Sequence, residues 1–138
     1  MTAWEHWFIH PHVGTLNTGP SHPLGEGLTV VTCLPPSAVA FTRSFEEVCE
    51  SLAELPRMFV EPDGSFVWRT PSGQLDGQLH DGPCGLAHIE LKGSISLDDW
   101  RRWLACVGWP DQSLAVQLAR DGIFISESEF ARLLQPDA

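Results

Sequence analysis

The sequence predicts an α+β fold: a single domain in which amphipathic helices cover a largely antiparallel sheet. Between about residues 57 and 92, four short runs of strand-forming residues follow one another, which predicts a meander. Segments at about 44–55, 97–107 and 127–134 instead repeat their apolar residues at helical spacing. Runs of strands with helices between and after them are typical of antiparallel α+β structures.

Turn residues and period-2 alternation predict the meander. Residues 58–61 and 66–69 flank a Pro-Asp-Gly-Ser turn, in which proline pre-sets φ and glycine accepts a positive φ. Residues 75–80 and 87–92 alternate apolar and polar side chains, so that one face is buried and the other contacts water. We therefore expect four strands joined by short turns.

Each predicted helix begins at a serine that caps its first turn. Ser44 is followed by two glutamates, Ser96 by an aspartate at the third position, and Ser126 by a glutamate in a predicted capping box. Pro56 and Gly108 end the first two helices. The second helix carries an apolar stripe suited to covering the sheet, formed by Trp100, Trp103, Leu104 and Val107.

Three further segments complete the predicted domain. A β-branched run at 28–34 predicts a strand. Residues 114–125 alternate on both sides of an Asp-Gly pair, which favours a hairpin, although the leucines at 114 and 118 also fit a helix over 111–120. Residues 1–27 lack periodicity, so we expect an irregular N-terminal arm that docks on the body through Trp4, Trp7, Phe8 and Ile9.

Composition restricts the class of protein. A chain of 138 residues with 43% hydrophobic residues fits one globular domain. A formal net charge of −10 disfavours nucleic acid and anionic membrane as partners, since both attract basic surfaces. No apolar run approaches the ~20 residues of a membrane span, and the N-terminus lacks the cationic start of a signal peptide. We expect a cytoplasmic protein with four reduced cysteines; two disulfides in a secreted protein fit the same count.

The N-terminal histidines suggest a metal site. His10 and His12 are separated by one residue, which on an extended chain directs both imidazoles to the same side. Such a pair suits two adjacent ligands of zinc or another divalent transition metal, with His22 or Glu26 completing the set. The alternative is an arm with ordinary exposed histidines and no cofactor.

The polar face of the meander offers a second candidate site. If residues 81–85 form the turn, Asp76 lies directly opposite Glu90, with His80 and His88 on the same two strands. Two opposed carboxylates repel, which raises one pKa and makes an acid–base pair. Charges that keep a sheet edge soluble are the alternative interpretation.

Cys84 lies in the same predicted turn, between His80 and His88. A thiol close to an imidazole is the start of a cysteine–histidine nucleophile, and the flanking glycines leave its sulfur accessible. The alternative is a turn cysteine without a chemical role.

The tryptophans suggest a further binding hypothesis. Trp4, Trp7 and Trp109 lie near the ends of predicted elements, where a half-exposed indole stacks on a sugar or anchors a partner. Packing of the same side chains against the core is the alternative. Trp100 and Trp103 are expected in the core.

The predicted element order from residue 44 onward is helix, strands, helix, two strands, helix. In a small acidic protein, this order looks like the class of bacterial secretion chaperones that dimerise and bind effector segments, a resemblance of topology alone. Our leading hypothesis is a non-enzymatic, chaperone- or adaptor-like module that binds a protein partner or forms a homodimer. The other hypotheses are a metal-binding protein or metal-dependent enzyme using His10 and His12, and a sugar-binding module using exposed tryptophans.

Overall fold

The computed structural model describes residues 4–135, which form nine strands and three helices. The strands are β1 (Trp4–His12), β2 (Thr18–Gly25), β3 (Leu28–Cys33), β4 (Met58–Val60), β5 (Ser65–Thr70), β6 (Gly73–Gly82), β7 (Gly85–Ser94), β8 (Ser113–Leu118) and β9 (Ile123–Ser126). The helices are α1 (Phe45–Ala53), α2 (Leu97–Cys106) and α3 (Glu127–Leu134). All strands join one antiparallel sheet in the order β2-β3-β9-β8-β1-β7-β6-β5-β4, which confirms the α+β class.

The predicted meander forms one half of this sheet. Strands β4 to β7 lie side by side in chain order, with pairs such as Phe59–Val67 joining them. The turn between β4 and β5 contains Gly64 at φ 88, a conformation that favours glycine. A Cβ at this position would also lie 2.7 Å from the Phe45 ring of α1. The turn glycine therefore serves both the hairpin and the packing of α1.

The prediction of an irregular N-terminal arm is wrong, because β1 is the central strand of the sheet. It pairs with β7 on one side and with β8 on the other. Trp7 and Ile9 are fully buried, whereas His6, Phe8 and His10 are half-buried on the opposite face. A phenylalanine among the outward-facing histidines obscures this alternation in the sequence.

The second part of the predicted arm is also a strand. β2 lies at the edge of the sheet and pairs with β3 alone. Pro20 and Pro23 are compatible with this strand because an edge strand needs ladder hydrogen bonds on only one side. In the sequence, these prolines disfavour a strand. In the structure, they are consistent with a strand at the edge of the sheet.

The helices pack against one face of the sheet. Trp7 of β1 contacts Trp100 of α2 and Phe130 of α3, with ring centroids 6.0 and 5.3 Å apart. Trp103 stacks on Phe66 of β5 at 5.9 Å, and the predicted stripe of α2 is fully buried. In residues 4–135, no helix is long and apolar enough to cross a membrane. The opposite face, which we call the open face, carries the alternate side chains of each strand.

Serines cap all three helices, as predicted. At α1 the capping box is closed, because Glu47 N–H donates to Ser44 Oγ and the Glu47 carboxylate accepts from Ser44 N–H. At α3 only the serine half of the predicted capping box forms. Ser126 caps the Glu129 N–H, but the Glu129 carboxylate accepts from the Val31 N–H of β3 at 2.6 Å.

Strands β8 and β9 confirm the predicted hairpin over the rival helix at 111–120. Their connection has four residues, 119–122, rather than two. Gly122 has φ 66, and its N–H donates to the Leu118 carbonyl. The glycine of the Asp-Gly pair therefore supplies the positive φ, as expected, within a longer turn.

Candidate functional site

Four histidines and one glutamate gather at the centre of the open face. Together with Phe8 they form what we call the histidine patch: His6, Phe8 and His10 from β1, His80 from β6, and His88 and Glu90 from β7. These three strands are neighbours in the sheet, and every second residue of a strand faces the same side. The intervening core residues direct the patch away from the helices; they are Trp7, Ile9, Leu79 and Ile89.

Three of the imidazoles stack across the strands in what we call the histidine row. His80 and His88 are directly opposite each other, with ring centroids 4.6 Å apart and an interplanar angle of 17°. His88 and His10 lie 5.6 Å apart at 25°. These distances are close to the ~4.8 Å between neighbouring strands, so the sheet itself stacks the rings.

Glu90 is the shared hydrogen-bond acceptor of two histidines. Its Oε2 lies 2.7 Å from His6 Nε2, and its Oε1 lies 3.2 Å from His80 Nε2. The Glu90 side chain is 27% exposed, and those of His6 and His80 are 35% and 39% exposed. Glu90 thus links β1 to β6 across β7, within reach of water.

The patch continues onto β8 and β9. His10 Nε2 lies 2.9 Å from Gln117 Oε1, and the His10 ring lies 5.3 Å from that of Phe124. Gln117 is opposite Phe8 on one side and Phe124 on the other. Phe8 also contacts the His88 ring at 5.8 Å. Aromatic and imidazole rings therefore cover the middle of the open face.

Burial and the neighbouring side chains shift the pKa values of His10, His88 and Glu90. Burial lowers the pKa of His10, against the opposing effect of its hydrogen bond to Gln117. Burial also lowers the pKa of His88, and the imidazoles of His80 and His10 lower it further. For Glu90, burial acts to raise the pKa, but hydrogen bonds from His80 and His6 outweigh burial, so that the pKa is lowered. At neutral pH, Glu90 is ionised and the rings of His10 and His88 are neutral.

The predicted register of the central hairpin is wrong by two residues. Asp76 lies opposite Lys92, and Glu90 lies opposite Gln78. The reason is a register shift next to His80, combined with a tighter turn in which Gly82 pairs with Gly85. The two carboxylates are not opposed, so the proposed acid–base pair does not form. Glu90 instead joins the histidine patch.

The histidines proposed as metal ligands are not brought together. His10 belongs to the histidine row, whereas His12 is 8% exposed and lines a small polar cavity of about 110 Å³ with Asn17 and Ser37. His22 lies on edge strand β2, four strands from β1, or roughly 19 Å at the usual strand spacing. Among the residues that the structure describes, no three His, Cys, Asp or Glu side chains are grouped to hold a metal ion.

Cys84 is exposed in the turn between β6 and β7. The turn lies two register pairs beyond the His80–His88 pair, roughly 7 Å along the hairpin. Within residues 4–135, no hydrogen bond joins Cys84 to either imidazole; His80 is bonded to Glu90 instead. The cysteine–histidine nucleophile stays a prediction without support from this geometry.

The tryptophan side chains that the structure describes do not form an exposed surface. Trp7, Trp100 and Trp103 are fully buried, and Trp109 packs against the core. The side chain of Trp4 lies outside the part of the chain that the structure describes. The other tryptophans therefore pack in the core. Because Trp7 is buried, it is not available to stack on a sugar, as the sugar-binding hypothesis requires.

Three residues of the site are not among the sequence candidates: Phe8, Gln117 and Phe124; His6 belongs to the N-terminal histidine group from which the metal site is predicted. Their common signal is alternation, since His6, Phe8 and His10 are spaced by two, as are the buried Trp7 and Ile9.

Comparison with known protein-family models, with curated proteins and with solved structures finds no match to this chain.

Proposed function

We propose that this protein is a non-enzymatic binding module that docks another protein surface on its open face. The observation that carries the proposal is the histidine patch, extended by Gln117 and Phe124 across five strands. The helix layer buries the apolar side chains of one sheet face. On the other face, aromatic and imidazole rings stay half-exposed. Aromatic side chains such as Phe8 and Phe124 are enriched in the central parts of protein interfaces.

The chemistry of the patch supports binding rather than catalysis. Its imidazoles are stacked on one another and hydrogen-bonded to Glu90 and Gln117 across neighbouring strands of the sheet. Enzyme sites are usually concave and exclude water. Two concavities, of about 240 and 110 Å³, lie towards the β2–β3 side, and none of the residues that line them belongs to the histidine patch.

Site-specific cross-linking in cells tests this proposal. A photoreactive phenylalanine analogue replaces Phe124 on the open face or, as the control, Arg101 on the exposed side of α2. We expect a discrete cross-linked adduct from position 124 and none from position 101. Any protein found in the adduct is then purified and titrated with the wild-type chain and with Phe8→Ala. A loss of affinity of about tenfold or more in Phe8→Ala supports the docking surface. Adducts from position 101 alone, or none from either position, contradict it.

A further inference from the structure

We propose that the surface docked on the open face is the open face of a second copy of this chain, and that the two copies separate when His10 and His88 of the histidine row take up protons. This inference rests on the proposed function, because it names the partner of the same surface. It is carried by the charge of the open face, by its size and by the chemistry of its central rings.

Charge is the first argument. Among the side chains that the structure describes, the strands place two acids and two bases on the open face: Asp76, Glu90, Arg69 and Lys92. Since these four charges cancel, the acidic excess of the described residues lies on the other surfaces. Two chains this acidic repel each other through those surfaces. The open face is where they can meet with the least repulsion, and a two-fold contact requires such a self-complementary patch.

Size is the second argument. Nine strands at about 4.8 Å spacing, with about seven residues each at roughly 3.3 Å, give a whole sheet face on the order of 900 Å². A standard stable interface uses about 800 Å² of each partner. Sheets pack face to face at about 10 Å through interdigitated side chains. Ala115 and His12 on this face are already 0% and 8% exposed within one chain, so the area left free suits a small, reversible dimer interface.

The histidine row supplies the pH dependence. Neutral imidazoles, with Phe8 and Gln117 beside them, desolvate at moderate cost. Protonated imidazoles carry charge into the contact, and in a two-fold dimer each row meets the same charge on the other copy. The other titratable side chains that these three strands place on the same face are Glu90 and Lys92 of β7, Asp76 of β6, and His6 and His12 of β1. In the described β8 and β9, the neighbouring open-face side chains are uncharged. Each copy has one Glu90, which can neutralise at most one of the two protons that His10 and His88 of that copy would take up.

Light scattering of the purified chain at increasing concentration tests the inference. At about pH 7.5, above the ordinary histidine pKa, we expect a mass approaching twice the 15.2 kDa of one chain. At about pH 5 we expect the mass of a single chain. Lys92→Glu is expected to weaken the dimer about tenfold or more, because it unbalances the open face. Arg101→Glu changes the net charge by the same two units on the helix side and is expected to leave the dimer intact.

A second variant separates proton uptake from general acid damage. His88→Phe keeps an aromatic ring in the middle of the row but cannot take up a proton. Its dimer is expected to persist to a lower pH than that of the wild type. Equal pH midpoints for the two proteins contradict the role of the row.

A single-chain mass at neutral pH, up to on the order of 100 µM, overturns the second copy as partner. So does a dimer that Lys92→Glu and Arg101→Glu affect equally. In either case, an adduct between position 124 and a different protein still supports the docking surface. A monomer without any adduct from position 124 contradicts both proposals.

Discussion

His88 is the residue on which the chemistry of the open face depends. Its ring stacks between those of His80 and His10, and Phe8 contacts it at a steep angle. A proton on this ring loses hydration and meets two neighbouring imidazoles, with only Glu90 to compensate. The folded protein therefore disfavours protonation at His88 relative to the unfolded chain.

This difference predicts how stability depends on pH. Since the pKa of His10 and of His88 is lowered in the folded state, the unfolded chain binds protons first on acidification. The free energy of unfolding is expected to fall as the pH drops through about 6.5, and the loss ends below the folded-state pKa. His88→Gln should reduce this slope. Urea unfolding at several pH values, at a protein concentration low enough to keep the chain monomeric, measures how the free energy of unfolding changes with pH. An equal change in wild type and variant contradicts the prediction.

The sequence predicts the polar face of β6 and β7 but not the details of the patch. Alternation identifies His80, His88 and Glu90 as facing away from the core. It cannot locate the register shift beside His80, because one extra residue in a strand leaves each flanking run with the same alternation.

At the scale of elements, α3 takes the place of a strand neighbour. β3 pairs with β9 at one register position, Cys33–Phe124. Beside this pair, the Glu129 carboxylate accepts from the Val31 N–H at 2.6 Å, and Arg132 Nη2 donates to the Thr29 carbonyl at 2.9 Å. Two helix side chains thereby satisfy backbone groups that a further strand would otherwise pair.

Removing the Glu129 carboxylate is therefore expected to loosen β3 locally. Glu129→Ala leaves the Val31 N–H to solvent and should cost about 1–2 kcal/mol of stability. Hydrogen exchange at Val31 should accelerate more than exchange in β6 and β7. The matched control is Glu46→Ala, which removes an exposed first-turn carboxylate from α1. Unchanged exchange at Val31 in Glu129→Ala contradicts the role of this contact.

The same helix shows which parts of an element the sequence predicts. The Ser126 cap follows from the local chain, because the serine needs only the N–H three residues later. The partner of Glu129 does not, since the local pattern predicts a capping box and the tertiary contact with Val31 replaces it.

At the scale of the whole molecule, β1 holds the sheet together. The meander strands β4 to β7 lie on one side of it, and β8, β9, β3 and β2 lie on the other. Trp7 contacts Trp100 of α2 and Phe130 of α3, and among the described strands β1 alone pairs with both β7 and β8. The sequence hides this role because a segment that contains a proline, and that alternates three histidines and a phenylalanine with its buried residues, resembles an irregular arm.

Shortening a buried side chain of β1 is expected to destabilise the entire domain. Ile9 is fully buried, and Ile9→Ala should lower the free energy of unfolding by about 2–4 kcal/mol. Phe59→Ala removes a larger side chain that is 63% exposed, and it should change stability by about 0.5 kcal/mol or less. Chemical denaturation of both variants measures the difference. A smaller effect at Ile9 than at Phe59 contradicts the central position of β1.

The position of β1 also governs the time at which this domain can fold during synthesis. Trp7 pairs with Leu91 on one side and with Leu118 on the other, so both neighbours of β1 are translated long after it. Until they leave the ribosome, the nascent chain carries a strand with no partner on either edge and with unburied tryptophan and isoleucine. Domains built from such distant pairings fold late and slowly, and their early segments stay accessible to chaperones during elongation.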